Sequence, residues 1–196
     1  MAARFPGEGR TATAGGRCLL TAFAALLALL AAGLLWDFSV RKNFDTVVPG
    51  RIYRSGQPGK SQLERWIRDY GLQGILTLRH GLPSYERELA GLYGVKIFHV
   101  PFSANSGPSE KEWDAIREIL TDEQNLPLLL HCRGGGDRTG IVTALYRIEV
   151  QGWPLEKALR EMNRRYHLSL RYPALTEQLR ERFGAGPHET APQPVP

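Results

Sequence analysis

The chain has 196 residues, 25 Lys and Arg against 20 Asp and Glu, a formal charge of +5 and two cysteines. That length allows one domain of ordinary size with extra segments, and such a domain buries a core without disulfide staples. Cys18 and Cys132 give no disulfide framework and the five histidines fall at no metal-ligand spacing. The modest basic charge lacks the aromatic interleaving of nucleic-acid binders, so no cofactor, metal or nucleic-acid partner is expected.

Residues 1–17 form a basic N-terminal segment with Arg4, Arg10 and Arg17. Residues 18–36 are uncharged, long enough at about 1.5 Å per helical residue to cross a hydrocarbon core of about 30 Å, and end on Trp36 as an interfacial anchor. This predicts a single-pass transmembrane helix or signal anchor. A cleaved signal peptide with a site near Ala31, Ala32 and Gly33 is the competing reading, opposed by an apolar run that exceeds a usual h-region. Arg41, Lys42, Arg51 and Arg54 balance the charge across the span and leave its orientation undecided; a short basic N-terminus favours an extracytoplasmic or periplasmic location for the domain that follows.

Residues 37–50 read as a linker and 51–183 as the catalytic domain. Within it the pattern alternates. A strand is predicted at 51–54, a helix at 60–70 with Leu63, Trp66 and Ile67 on one face and Gly71 as its stop, and a strand at 74–79. A helix at 84–93, a strand at 95–100 and a helix capped by Ser109 follow, the acids Glu110 and Glu112 suiting its positive end. A strand at 128–131 and helices at 139–151, 154–166 and 173–183 complete the domain. Such alternation implies an α/β fold with a central, largely parallel sheet and helices on both faces. The tail 184–196, rich in Gly, Pro and polar residues, reads as disordered. Arg160, Arg164 and Arg165 read either as a solvated basic helix face or as a surface that steers polyanionic substrates or acidic head groups.

The chemistry concentrates in His131-Cys132-Arg133-Gly134-Gly135-Gly136-Asp137-Arg138-Thr139-Gly140, directly after the apolar run 126–130. A cysteine attacks as its thiolate, which an adjacent arginine and a helix N-terminus favour. Three glycines allow positive φ, so that successive N–H groups turn inward as an anion nest. Arg138 stands where the helix begins, placing its planar fork on two phosphate oxygens beside a positive helix end. Thr139 brings a hydroxyl toward the sulfur. A nucleotide-binding loop is excluded by the missing lysine, and a flexible glycine turn by the flanking strand and helix.

The His-Cys-x5-Arg-Thr pattern resembles the signature of the cysteine-dependent protein tyrosine phosphatase superfamily. Gly50-Arg51-Ile52-Tyr53-Arg54-Ser55-Gly56-Gln57-Pro58 is similar to the opening strand of its atypical dual-specificity branch, in particular the bacterial and the plant-and-fungal members. The resemblance runs from about Phe44 to Phe183. It implies a phosphoric monoester hydrolase of the protein tyrosine and dual-specificity type, in which Cys132 forms a phosphocysteine. Arg138 and the backbone amides of Arg133, Gly134, Gly135, Gly136, Asp137 and Arg138 would hold the phosphate.

Family members usually take a general acid from the loop after the strand that here ends at Pro101, yet residues 102–109 contain no carboxylate. Asp137 is the first substitute, because Cys-x4-Asp-Arg resembles the myotubularin loop; a helix-capping role competes with it. Asp114 and Glu110 are the alternatives. His131 reads as a loop-fixing residue, and Arg133 as facing either solvent or a second acidic group on the substrate. The substrates implied are phosphorylated proteins, with phosphorylated lipids or inositols as the alternative. An idle phosphate-binding module and a rhodanese-like sulfurtransferase are the readings from other classes.

Overall fold

A computed structural model describes residues 14–39, 42–165 and 171–184. It divides into two units, residues 1–40 and 41–196. The first contains one helix, α1 (Ala14–Ser39), where the span was expected. Among the described residues no helix is long and apolar enough to cross a membrane. The segment 1–13 and the tail 185–196 lie outside the described residues.

In the second unit the elements are β1 (Asp45–Val48), β2 (Ile52–Ser55), α2 (Lys60–Tyr70), β3 (Gly74–Thr77), α3 (Ser84–Tyr93) and β4 (Lys96–His99), followed by α4 (Glu110–Thr121), β5 (Leu128–His131), α5 (Asp137–Glu149), α6 (Leu155–Arg164) and α7 (Pro173–Phe183). The five strands form a mixed sheet in the order β1-β2-β5-β3-β4, with β1 antiparallel and the rest parallel. The expected parallel sheet is therefore extended by one antiparallel edge. That edge, β1, lies within the stretch read as a linker; four residues followed by Pro49-Gly50 give too short an alternation to stand out.

Local chemistry explains the element ends. Gly71 adopts φ +60 and closes α2 through a bond from its N–H to the Ile67 carbonyl, a conformation that glycine takes without a Cβ penalty. Ser109 and Glu112 form a reciprocal capping box at the start of α4. The side chains of α2 that face inward are Leu63, Trp66 and Ile67, as the helical spacing requires.

Strand alternation divides the core. Ile52, Leu76, Leu128 and Leu130 point to the face covered by α4, α5, α6 and α7, where Trp113, Ile116, Ile141, Leu145, Leu159, Met162 and Leu179 are buried. Tyr53, Ile75 and Leu129 point to the other face, against Leu63, Trp66, Ile67 and Leu89 of α2 and α3. The central strands β3 and β5 thus serve two layers, which is why they read as continuous apolar runs. The registers align Ser55, His131, Thr77 and His99 across the carboxyl ends of β2, β5, β3 and β4. In an open α/β sheet the ligand crevice lies beyond that edge.

Candidate active site

Beyond this edge β5 runs into Cys132, the loop 133–136 and α5. Cys132 is buried and free. The Gly135 N–H donates to its sulfur at 3.3 Å. The sulfur thus sits beside a backbone donor just before the N-terminus of α5, where free N–H groups and the helix dipole make an anion-binding position.

Of the three consecutive glycines, only Gly135 has positive φ, at +76. It also lies against the end of β2: a Cβ at Gly135 would fall 2.5 Å from the Gly56 nitrogen and 2.7 Å from the Ser55 carbonyl carbon. Gly134 has open space around the corresponding position. The expectation of a left-handed nest spread over all three is thereby narrowed to one residue, because the close approach of β2 forces the turn there.

The end of β2 supports the loop from below. The Gln57 N–H donates to the Arg133 carbonyl at 3.1 Å, and Arg54 Nη2 donates to the Gly135 carbonyl at 2.7 Å. Arg54 is fully buried, and burial pulls its guanidinium pKa down to about 10. Thr139 Oγ1 donates to the Ser55 carbonyl at 3.4 Å, so the hydroxyl expected beside the sulfur is instead part of this β2 clamp.

Arg138 is half-buried and its Nη1 donates to the Leu78 carbonyl at 3.4 Å, which brings its fork to the carboxyl end of β3. The next residue, Arg79, donates from Nη1 to Gln57 Oε1 at 3.0 Å, and its carbonyl lies 2.7 Å from His99 Nε2. Arg133 is exposed. Arg79 and His99 are therefore neighbours of the phosphate loop, a placement visible only once the strands are aligned.

Behind the loop lies a buried relay. Thr77 Oγ1 donates to Glu86 Oε2 at 2.9 Å, and because its proton is so engaged its oxygen accepts from His131 Nε2 at 3.0 Å. Gln57 Nε2 donates to the second Glu86 oxygen, and His131 Nε2 is 3.5 Å from Glu86. Burial alone would raise the Glu86 carboxyl, but the hydrogen bond and charge of His131, with the bonds from Gln57 and Thr77, carry it below its ordinary value. The His131 carbonyl also accepts from the Leu78 N–H at 2.9 Å. His131 thus fixes the strand end through side chain and backbone together.

Asp137 is the first residue of α5, one position inside the Gly136 cap. The other two candidate acids are elsewhere. Asp114 pairs with Arg117 at 2.8 Å and Glu110 with Arg182 at 2.7 Å, while Arg117 and Arg182 both reach Glu149 at the last residue of α5. Twelve residues of helix, about 18 Å, separate that end from Asp137. The structure removes Asp114 and Glu110 from the reacting group. Among the described residues no group of three or more His, Cys, Asp or Glu side chains is placed to hold a metal ion.

Residues 40–183 match the model of the tyrosine phosphatase family. The chain belongs to that family. Its relatives are atypical dual-specificity cysteine phosphatases. It is 32% identical over 113 residues to the dual specificity protein phosphatase TpbA of Pseudomonas aeruginosa strain UCBPP-PA14, covering 58% of this chain and 50% of the relative. It is also 32% identical over 129 residues to the inositol diphosphatase SIW14 of Saccharomyces cerevisiae, covering 63% and 45%. The chain spans about half the length of the curated relatives it matches. Among solved structures, the core catalytic domain of the PP-IP phosphatase SIW14 in complex with citrate is similar with a TM-score of 0.64 and 28% identity, over 72% of this chain and 85% of that one.

Proposed function

We propose that the domain hydrolyses phosphate monoesters by two in-line displacements. Cys132 attacks phosphorus, and Arg138 with the loop amides holds the equatorial oxygens. Asp137 protonates the leaving oxygen, and water then releases phosphate from the cysteine. The observation that carries this reading is the Gly135 N–H directed at the Cys132 sulfur at the foot of α5, with Arg138 one residue into the helix. An idle binding module needs no sulfur with a backbone donor turned onto it. The test is hydrolysis of p-nitrophenyl phosphate by the chain and by Cys132→Ser: turnover by the first alone is expected. No turnover by either, with phosphate retained, would make it a binding module; thiosulfate-dependent thiocyanate formation would make it a sulfurtransferase.

The first substrate class is a phosphorylated protein side chain, the class named for TpbA. A second reading, a phosphorylated inositol or phosphoinositide, is favoured by the two cations Arg138 and Arg79 along the strand ends, with the His99 ring beside Arg79. It agrees with the diphosphatase activity named for SIW14. Single-site phosphopeptides and inositol polyphosphates assayed in parallel decide between them through kcat/KM.

A single-pass anchor at 18–36 is the finer part of the proposal. It rests on the uncharged sequence and on the exposed Phe23, Leu26, Leu29 and Leu30 of α1. Retention in the membrane fraction after carbonate extraction is expected, and release into the supernatant removes it.

A further inference from the structure

We propose that Arg54 is a positioning residue for the nucleophile: a buried cation beneath the phosphate loop that turns Gly135 toward the Cys132 sulfur and supplies a charge to which the thiolate responds. This deepens the phosphocysteine reading and rests on it.

Three observations meet at this side chain. Arg54 has no exposed surface, and its Nε and Nη1 have no hydrogen-bond partner. Among the described residues no carboxylate lies within ion-pair distance of it. A guanidinium is ordinarily buried only with an acid beside it, since desolvating an uncompensated charge is costly. Its one hydrogen bond goes to the carbonyl of Gly135, the residue whose own N–H meets the sulfur. The same residue adopts φ +76 against the Ser55 and Gly56 backbone. Arg54 therefore holds the far side of the same residue, the peptide that follows the one carrying the donor, and limits how Gly135 can rotate.

Glu161 is the largest charge that favours the ionised Arg54, and the Cys132 sulfur adds to it; in a buried site such an attraction is larger than at a surface. The same attraction read from the other side favours the thiolate. Other titratable or charged groups on the elements around the loop are His131 at the end of β5 with Glu86 of α3 beside it, Arg133 in the loop, Asp137 and Arg138 on α5, and Arg79 after β3. Below them, Glu161 on α6 and Asp45 on β1 favour the Arg54 charge, and Arg165 opposes it. Arg138 approaches the phosphate from the rim, where substrate meets it. Arg54 acts from underneath and never touches substrate.

The experiment is the pH dependence of inactivation by iodoacetate in the full chain, which reads the Cys132 thiol without requiring turnover, combined with kcat and KM on p-nitrophenyl phosphate. Cys132→Ser corrects for alkylation elsewhere. Arg54→Met keeps the length and removes the charge. The thiol pKa should rise by about one unit, roughly tenfold less thiolate at mildly acidic pH. The fall should appear in kcat more than in KM. Arg54→Lys should recover part of the shift. A folded Arg54→Met with an unchanged thiol profile overturns the proposal.

Should Arg54→Met not fold, Arg138→Met gives the answer on an intact loop base. If its thiol pKa stays below that of free cysteine, the groups left beneath the sulfur, Arg54 with the Gly135 N–H it braces, sustain the thiolate, as expected. If it returns to the ordinary value, Arg54 contributes nothing and the proposal falls. Absence of turnover by the wild type, with a depressed thiol pKa that Arg54→Met raises, would overturn the phosphatase reading and leave this one standing.

Discussion

The two ends of α5 treat charge in opposite ways. At the carboxyl end Glu149 sits at the negative pole of the helix, an unfavourable place for a carboxylate, and the fold surrounds it with donors. Trp113 Nε1 donates at 2.8 Å, Arg182 pairs at 2.8 Å, and Arg117 stands at 3.7 Å, with Glu110 and Asp114 completing the network. At the amino end the cations Arg54 and Arg138 hydrogen-bond backbone carbonyls. Adding positive charge to the positive pole of a helix costs stability unless an anion arrives. One end is a closed ion network that holds α4, α5 and α7 together, and at the other the cations Arg54 and Arg138 rest on backbone carbonyls.

The sharpest way to break this contrast is to remove the open cation. Arg138→Ala should lower kcat/KM on p-nitrophenyl phosphate by about 10³-fold, the scale seen when one transition-state donor is lost. A loss of only a few fold would mean that the amides and helix end suffice. Asp137→Asn tests the acid at the same pole. Loss of a general acid costs about 10²-fold or more when the leaving group is a poor one. Hydrolysis of phenyl phosphate should fall accordingly, with the descending limb of kcat at high pH removed, while p-nitrophenyl phosphate, whose leaving group needs little help, is affected far less. Equal losses on both substrates would take the proton-donor role from Asp137.

Gly135 and Gly134 sharpen the comparison within the loop itself. Gly135→Ala forces a side chain into left-handed backbone and against Gly56. Strain of about 1–3 kcal/mol at such a position should appear as roughly tenfold or greater loss of kcat. Gly134→Ala meets nothing and should stay within about twofold, since no strain is introduced. Similar losses in both would show that loop flexibility, and not the β2 contact, decides.

Much of this was legible before the fold was known, and the boundary of legibility is physical. The bounds of α2, α3, α7 and β5 follow from caps, stops and period, all local signals. Cys132 and Arg138 were legible because the loop's chemistry is contiguous. Glu86 was not: it lies on a helix whose neighbours Arg87 and Glu88 are exposed, and only the packing of α3 against β3 and β5 brings it to His131 and Thr77. Arg54 read as part of a strand motif, and its position beneath Gly135 depends on β2 lying beside β5. Asp114 and Glu110 misled for the converse reason. They follow the expected acid loop in sequence, yet α4 carries them to the far end of α5.

The Glu86 relay extends the open pole into stability. Its carboxyl is depressed below the ordinary 4.5, so its contribution is complete above that pH and is lost as pH falls through the lowered value. Glu86→Gln should therefore destabilise the protein by about 2 kcal/mol near neutrality, the scale of a buried hydrogen bond to a charge. The deficit should shrink on acidification below the carboxylate range. Denaturant melts at neutral and acidic pH measure it, and a deficit independent of pH would assign the loss to packing.

Arg182→Ala carries the smallest expected effect and tests the closed pole. The side chain retains partial solvent contact, and its two acids keep other partners in Trp113 and Arg117 for Glu149 and in water for the exposed Glu110. Partial screening limits such a pair to about 1 kcal/mol or less. Thermal melting should shift down slightly, while kcat/KM stays at the wild-type value, because a helix length separates this network from the sulfur. A change in activity larger than the change in stability would mean that the two ends of α5 communicate, and that the ion network also sets the angle at which the helix presents its amino terminus to the phosphate.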